Sequence, residues 1–252
     1  MNNIAVVLIT KNAERLLDRC LSSLHAFEEV IVYDNGSTDQ TLEICSQFNN
    51  VKVFEGEFLG FGKTKKHAAS LASCDWIFSL DADEVMSSEI STELLNKPLD
   101  PHICYVVRRD NYYRNKHIKC CGWYPEYIVR LYNKKHTDFS DAMVHETVKT
   151  KGMKQEKIVY PIEHYSFDSV ADFLVKIQSY SEIYANEHKG KSDASIFKAF
   201  SRGLVAFIKS YFFRKGWSAG FEGFVIAFFH ALGTTVKYLK LHEKNRAPKP
   251  KV

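Results

Sequence analysis

The chain has 252 residues, of which 45% are hydrophobic and 25% are charged, and its net charge is +4. This composition is typical of a folded protein with a sizeable core, and it excludes a disordered or low-complexity chain. The charge is uneven, because residues 1–150 carry 17 Lys and Arg against 21 Asp and Glu, whereas residues 151–252 carry 17 against 9. A basic C-terminal part favours an anionic partner, either a membrane surface or a nucleic acid.

The first residues, MNNIAVVLITKN, have no basic segment followed by a long apolar stretch and a cleavage site, so they predict no secretory signal. We therefore expect a cytoplasmic protein. Its six cysteines form no CxxC pair and no zinc-ligand spacing, which favours reduced thiols.

Strand and helix patterns alternate in the first third of the chain. Four segments are predicted as strands: residues 4–10, 29–34, 51–56 and 75–83. Helical spacing of apolar residues follows the first strand, and further helices are predicted from Thr41 and over residues 63–73. This alternation predicts an α/β fold with an open sheet, right-handed crossovers and flanking helices.

Polar residues end three of these strands. Thr10, Asp34 and Asp81 lie at carboxyl ends, where open α/β sheets bind their ligands. The turn that follows Asp34 could form with its Asn and Gly alone. We therefore expect that Asp34 and Asp39 are not needed for the structure of the turn. We therefore expect the backbone amides around Gly36 and Ser37 to face a ligand, and Asp34 to accept hydrogen bonds from a nucleobase or ribose.

The segment FSLDADE places three acids directly after an apolar run. Mutual repulsion makes such a cluster unfavourable unless a cation shares it, and carboxylate oxygens suit Mg²⁺ or Mn²⁺. The alternative is a solvated loop whose acids cap the following helix.

Short strand-like pieces with many aromatic and basic residues follow Pro98, and they predict an irregular, partly antiparallel extension of the sheet. From about residue 167 the pattern is helical. Residues 217–236 are rich in Phe, but their uninterrupted apolar part is too short to span a membrane, so they form either a buried or an interfacial helix. The interfacial alternative is favoured by the neighbouring bases Arg214, Lys215, Lys237 and Lys240.

Two familiar motifs are incomplete. The stretch GFGKT lacks the first Gly of a phosphate loop, because residue 57 is Glu57, and VHETV has Lys149 where a zinc protease needs its second His.

Six blocks in order resemble family 2 glycosyltransferases, and most of all the lipopolysaccharide-core branch called the WaaE/KdtX subfamily. The blocks are VVLITKNAERLLDRCLSSL, EVIVYDNGSTDQTLEI, GFGKTKKHAA, DWIFSLDADE, GWYPEYIVRLYNK and VHETV. The resemblance runs from about residue 4 to residue 240. It implies a GT-A fold with an open mixed sheet and a helical C-terminal extension, a UDP-sugar donor, Mg²⁺ or Mn²⁺ as cofactor, and inversion at the anomeric carbon.

The resemblance also implies a set of site residues. Thr10, Asp34 and Lys66 match nucleotide-binding positions, and Asp81 and Asp83 match the DxD metal motif, with Asp83 as the more direct ligand. The resemblance assigns Glu146 as the base that takes the proton of the acceptor hydroxyl, with Glu126 as the second candidate. An ion pair between Glu126 and Arg130, four residues later, is an alternative role for Glu126. Three further residues complete the predicted acceptor site together with Arg130: Trp123, Tyr124 and His145. This chain departs from many relatives, because His145 stands where they have an acid. Trp123 and Tyr124 are as compatible with a core as with a sugar-stacking role.

The sequence thus predicts a hexosyltransferase, with glucose as the first candidate, that acts on a lipopolysaccharide-core or other lipid-linked saccharide at the cytoplasmic face of the membrane. A peptide glycosyltransferase and a non-catalytic sugar-nucleotide-binding protein are the alternatives. An anionic membrane surface is an expected partner and nucleic acid is not, because the aromatic residues of the basic part lie in apolar helical runs. The predicted regions are a catalytic domain over residues 1–165, a helical membrane-associating region over 166–244 and a disordered basic tail over 245–252.

Overall fold

The computed structural model describes residues 1–142 and 146–246. The chain divides into two compact units. The first comprises Met1–Asp110 and Glu126–His164, and the second comprises Asn111–Pro125 and the chain from Tyr165 onward.

The secondary structure follows a strand and helix alternation and then becomes helical. The strands are β1 (Ile4–Thr10), β2 (Glu29–Asp34), β3 (Val51–Glu55), β4 (Trp76–Ser79), β5 (Glu84–Met86), β6 (Ile103–Tyr113), β7 (Lys116–His117), β8 (Glu126–Asn133), β9 (Lys154–Lys157) and β10 (Ile162–Phe167). The helices are α1 (Glu14–Ser22), α2 (Thr41–Cys45), α3 (Phe61–Ser70), α4 (Ser88–Asn96), α5 (Val170–His188), α6 (Ile196–Ile208) and α7 (Phe221–Arg246). A π-helical turn, Lys209–Phe213, and a 3-10 turn, Gly216–Ala219, connect α6 to α7.

The sheet is mixed, with the order β3-β2-β1-β4-β8-β6-β10-β5. Strand β1 pairs in parallel with β2 and β4, and β2 pairs in parallel with β3. Strand β8 pairs antiparallel with both β4 and β6, and β10 pairs antiparallel with β5. The predicted parallel part and its antiparallel extension are therefore both present.

Strand β1 is buried on both faces, as its continuous apolar run predicts. Val6 and Leu8 pack in the same cluster as Leu17 of α1, while Val7 packs in a second cluster with Ala68 of α3. Burying a Leu side chain this fully contributes about 1.5 to 3 kcal/mol to the free energy of unfolding. Helices on both sides of the sheet thus fix the strand ends that carry the polar residues.

The second unit is helical around an aromatic core. Phe173 of α5 stacks on Phe229 of α7 at 5.1 Å between ring centroids, and on Phe167 at 4.0 Å. Helix α5 begins with a capping box, in which the Ser169 side chain accepts from the Asp172 amide and the Asp172 side chain accepts from the Ser169 amide. Among the described residues α7 is the one helix long and apolar enough to cross a membrane by length and composition. Residues 247–252 of the predicted tail lie outside the described residues.

Candidate active site

The carboxyl ends of β1 and β4 form the switch point of the parallel part of the sheet. The chain moves outward from β1 to β2 and β3 and then returns to place β4 on the other side of β1. Thr10 of β1 lies directly opposite Asp34 of β2, and the Leu80 amide, just before Asp81, donates to the Val7 carbonyl. The three strand-end residues named from the sequence thus lie at one edge of the sheet, at the place where such sheets bind ligands.

Asp34 is fully buried and organises the turn that follows it. Its carboxylate accepts hydrogen bonds from the Thr10 hydroxyl at 2.9 Å, the Gly36 amide at 3.0 Å and the Ser37 amide at 2.7 Å. Gly36 has a φ of +81°, a conformation that favours glycine. The expectation that the turn does not need Asp34 is wrong. We expected the amides of Gly36 and Ser37 to face a ligand, but they donate to the Asp34 carboxylate.

Asp39 also has a structural task, contrary to the same expectation. Its carboxylate accepts from the Thr41 amide at 3.1 Å, from the Thr41 hydroxyl at 2.6 Å and from the Glu14 amide at 3.2 Å. Partial burial alone would raise the pKa of Asp39, but these hydrogen bonds lower it. The carboxylate thereby ties the start of α1 to the start of α2.

The acids after β4 form a closed turn. The Asp81 amide donates to Glu84 Oε2 at 2.9 Å, and the Glu84 amide donates to the Asp81 carbonyl at 3.0 Å. The Glu84 side chain is fully buried, where it pairs with Arg130 and, at 3.4 Å, with Arg109. Glu84 is therefore an internal anchor of the turn.

Two side-chain cations lie within 3 Å of the Asp81 carboxylate. Lys65 Nζ lies 2.9 Å from Asp81 Oδ1, and Arg130 Nη2 lies 2.7 Å from Asp81 Oδ2. Burial alone would raise the pKa of Asp81, but Arg130 and Lys65 hold it well below its usual range. Side chains of this chain thus supply positive charge to the cluster, whereas the sequence suggested a metal cation for that role.

Lys65 is a buried residue of α3 that joins two carboxylates. Its Nζ lies 2.8 Å from Glu146 Oε1 in addition to its contact with Asp81. Burial lowers the pKa of a lysine, but here Asp81 and Glu146 outweigh burial and raise it. The neighbouring Lys66, named from the sequence, instead lies 3.6 Å from Asp138 with its side chain about half exposed.

Glu126 pairs with Arg109 in a two-pronged contact, with distances of 2.7 and 2.9 Å. The suggested ion pair between Glu126 and Arg130 is wrong, because both residues lie on β8, where four residues span about 13 Å. Arg109 of β6 lies directly opposite Glu126 in the antiparallel register. The buried Arg130 forms ion pairs with Asp81 and Glu84 instead.

Asp83 is the second acid of the DxD segment. Its Oδ1 lies 3.4 Å from His164 Nε2, and its side chain remains partly exposed. In the parts of the chain that the structure describes, no group of three or more His, Cys, Asp or Glu side chains is placed to hold a metal ion. Mg²⁺ commonly needs only one or two protein carboxylates, with water and substrate phosphates as its other ligands. Asp83 and the neighbouring Asp81 fit that requirement.

Comparison with known proteins identifies the family. The model of glycosyl transferase family 2 matches residues 5–140, more than half of the chain. The chain belongs to this family. An uncharacterized glycosyltransferase of Rickettsia felis is 30% identical over 96% of this chain and 90% of its own length. The lipopolysaccharide core biosynthesis glycosyltransferase LpsC of Rhizobium meliloti is 24% identical over 96% of this chain and 93% of its own.

Solved structures include S. aureus TarS 1–349 in complex with UDP-GlcNAc, which is 16% identical, covers 97% of this chain and 90% of that chain, and has a TM-score of 0.48. The family match and the mixed sheet with its helices confirm the predicted GT-A fold class and the helical C-terminal extension. The protein is a glycosyltransferase.

The described acceptor residues named from the sequence belong to different units of this glycosyltransferase. Trp123 and Tyr124 belong to the second unit, where Trp123 stacks on Phe167 at 5.6 Å and Tyr124 packs edge-on against His117 at 5.6 Å. His145 lies outside the described residues. Arg130 has a buried side chain within the ion-pair network of the first unit.

Sequence reasoning missed Lys65 and Arg109 as parts of the network. A signal for Lys65 existed, because Gly62, Lys65, Ala68 and Ala69 recur at helical spacing and all face the interior. Lys66 lies outside that stripe. For Arg109 the alternation of β6 shows only that Arg108 and Arg109 point to opposite faces, and the choice between them depends on the strand register.

Proposed function

We propose that this glycosyltransferase transfers a hexose, with glucose as the first candidate, from a UDP-sugar to a lipopolysaccharide-core or other lipid-linked saccharide, with inversion at the anomeric carbon. The full-length similarity to LpsC, a lipopolysaccharide core biosynthesis enzyme, supports this class of acceptor. The six sequence blocks support a place in the WaaE/KdtX branch. We place the enzyme at the cytoplasmic face of the membrane, where such acceptors are built.

The observation that carries the proposal is the bridge formed by Lys65. It joins Asp81, at the switch point of the sheet, to Glu146, with distances of 2.9 and 2.8 Å. Glu146 is thereby fixed beside the edge where a nucleotide-sugar binds in an open α/β sheet. A carboxylate in that position can act as the base that a single-displacement transfer requires.

In the proposed reaction Glu146 accepts the proton of the acceptor hydroxyl. The hydroxyl oxygen forms a bond to the anomeric carbon from the face opposite the diphosphate. The bond between that carbon and the diphosphate oxygen breaks, and UDP leaves with the electron pair. Lys65 acts as a positioning residue, because it holds one oxygen of Glu146.

The nucleotide half of the site is proposed at the ends of β1 and β2. Asp34 is buried and its carboxylate already accepts four hydrogen bonds from the turn and from Thr10, so it acts by holding the turn in shape. Gly36, Ser37 and Asp39 belong to the same preformed segment. A rigid turn of this kind reduces the ordering cost of binding a nucleotide.

Asp83, together with Asp81, would hold Mg²⁺ or Mn²⁺. When bound, the ion would offset the negative charge of the departing diphosphate as a Lewis acid. Asp81 carries Lys65 and Arg130 on its two oxygens, so we assign Asp83 the more direct role. Asp83 is a carboxylate with a partly exposed side chain, which suits a hard cation that also binds phosphate oxygens.

The test is a Glu146→Gln variant assayed for transfer with UDP-glucose, UDP-galactose and UDP-GlcNAc, with lipopolysaccharide core and a peptide offered as separate acceptors. Loss of the base should reduce turnover by about 10² to 10⁴-fold while UDP binding stays close to normal. Glu156→Gln is the matched control, because Glu156 is exposed on β9 and pairs with Lys97 away from the switch point.

Two results would contradict the proposal. Near-normal turnover of Glu146→Gln would move the base to Glu126. Transfer to the peptide but not to the lipopolysaccharide core would assign a different acceptor class.

A further inference from the structure

Helix α6 of the second unit packs with its small residues inward. Ala199 and Gly203 are buried, and a Cβ on Gly203 would come within 2.0 Å of the Thr235 hydroxyl and 3.2 Å of the Ala231 carbonyl of α7. Several large apolar residues of α6, among them Phe197, Phe200 and Leu204, are left exposed. This is the reverse of the usual amphipathic helix, whose large apolar residues face the core.

The exposed residues form one continuous surface, which we call the outer face. It consists of Phe197, Phe200, Leu204 and Val205 on α6 and of Phe212 and Phe213 on the π-helical turn. Phe197 is 83% exposed and Phe213 is 80% exposed. Soluble monomers rarely expose a contiguous apolar surface of this kind unless it is an interaction site.

The charged residues within the segment that carries the outer face all have one sign. Between Asp193 and Glu222 the sequence contains no acidic residue. It contains five bases there, Lys198, Arg202, Lys209, Arg214 and Lys215, and the last four are exposed. An apolar face with a basic border is complementary to a lipid bilayer that carries anionic headgroups.

A second copy of the chain is a poorer partner for this surface. In a two-fold symmetric dimer the same surface meets itself. The basic border of one outer face would then lie against that of the other without an acid between them, and like charges across an interface are unfavourable. An anionic bilayer satisfies both the apolar residues and the bases.

Helix α7 is less suited to meet the bilayer. Val225, Ile226 and Phe229 are buried in the second unit. Two of the bases that the sequence placed at the membrane turn towards α5: Lys240 lies 3.3 Å from Glu182, and Lys237 lies 4.7 Å from the centre of the Tyr184 ring. The expectation that these two lysines face the headgroups is not supported by their contacts.

We propose that the outer face of α6 and the π-helical turn inserts into the headgroup layer of an anionic membrane, so that the protein lies on the membrane and α7 does not cross it. This deepens the proposed function by naming the surface that brings the enzyme to a lipid-linked acceptor. The binding itself does not depend on the chemistry of transfer, so the two can be tested separately.

The test compares sedimentation of the full chain with vesicles of phosphatidylcholine alone and with vesicles that contain phosphatidylglycerol. We expect binding to the anionic vesicles at low salt and release at high salt. The double variant Phe197→Ser with Phe213→Ser should bind at least tenfold more weakly. The control is Val175→Ser on α5, which also removes an exposed apolar side chain, 69% exposed, and should bind like the original protein.

A second pair of variants tests the border. Arg202→Gln with Lys209→Gln should reduce binding to anionic vesicles at least fivefold, whereas Lys237→Gln with Lys240→Gln should have a smaller effect. Circular dichroism and hydrolysis of the UDP-sugar in the absence of lipid report whether each variant is folded. The two proposals can fail separately. If neither the original protein nor any variant turns over a UDP-sugar, but vesicle binding changes as expected, the proposed function is wrong and the membrane-binding inference is still supported.

Three results would overturn the inference. One is unchanged vesicle binding by the double Phe variant. Another is a dimer in sedimentation velocity that this variant converts to a monomer. The third is protein that stays in the membrane fraction after washing with high salt and alkaline carbonate, which would indicate that α7 spans the bilayer.

Discussion

Replacing Lys65 by Met would test the central ion-pair network most directly. The variant keeps a side chain of similar length and removes the charge that lies between Asp81 and Glu146. Two carboxylates would then face each other with less compensation, although Arg130 would still pair with Asp81. We expect both the free energy of unfolding and the rate of transfer to fall.

The size of the effect follows from the burial of the three groups. Removing one partner of a fully buried ion pair costs about 3 to 5 kcal/mol, because the other charge is left buried. Lys65 is 8% exposed, but Asp81 is 29% exposed and Glu146 is 15% exposed, so water can reach both carboxylates. We therefore expect Lys65→Met to lower the free energy of unfolding by about 1 to 3 kcal/mol.

The pH dependence of this cost has a definite sign. The pKa of Asp81 is lowered in the folded state, so its stabilising effect is present above about pH 4 and is lost as the pH falls through the lowered value. The pKa of Lys65 is raised, so its effect is present below about pH 10.4 and is lost as the pH rises through the raised value. The difference between the original protein and the variant should be largest between about pH 5 and pH 9.

Urea unfolding at several pH values measures this difference, and Lys66→Met is its control. Lys66 is the next residue on the same helix, its side chain is about half exposed, and its contact with Asp138 is long at 3.6 Å. Its replacement should change the free energy of unfolding by less than about 0.5 kcal/mol. Equal costs for the two variants would refute the reasoning, as would a cost for Lys65→Met that does not change with pH. A double-mutant cycle with Glu146→Gln should give a coupling energy of about 0.5 to 3 kcal/mol.

Two further predictions concern the metal and the acid stability of the fold. EDTA should abolish transfer and Mn²⁺ or Mg²⁺ should restore it, while Asp83→Ala should keep the melting temperature and lose this restoration; full activity in EDTA would contradict the assignment of Asp83. For Glu29, burial alone would raise the pKa, but hydrogen bonds from Lys52 and Ser73 lower it to about 2. Its charge therefore stabilises the fold above about pH 4.3, and the effect is lost as the pH falls towards about 2. Lys52 is largely exposed, so solvent screens its attraction to Glu29. We therefore expect Glu29→Gln to lower the free energy of unfolding in urea by about 1 to 2 kcal/mol at pH 7 and by clearly less at pH 3. An equal decrease at both pH values would contradict this prediction.

The parallel part of the sheet could be predicted from the sequence because each of its strands carries its own signal. The run from Ile4 to Thr10 is apolar and β-branched, and it becomes β1 with the predicted bounds. The short strand β5 has no such signal. Its three residues form a strand only because they pair with β10, which lies about 75 residues further along the chain.

The partners of the acidic residues could not be predicted in the same way. The sequence shows that Asp81, Asp83 and Glu84 are crowded, and from this a need for positive charge follows. It does not show that Arg130 supplies part of that charge, because Arg130 reaches the cluster through the pairing of β8 with β4. Likewise, the pairing of Glu126 with Arg109 depends on the register between two strands.

The two acids of the DxD segment have different surroundings, and we therefore expect them to have different roles. Asp81 is bound on one oxygen by Lys65 of α3 and on the other by Arg130 of β8, so it links a helix to the sheet and orients Glu146 through Lys65. Each of its oxygens keeps a second lone pair, so Asp81 can still assist in holding an ion, but the more direct role is assigned to Asp83. Asp83 points to His164 and keeps a partly exposed side chain, so it can receive an ion that arrives with the diphosphate. In the proposed mechanism the ion pairs of Asp81 hold Glu146 in place before substrate binds, and a metal ion held at Asp83 would offset the negative charge of the diphosphate.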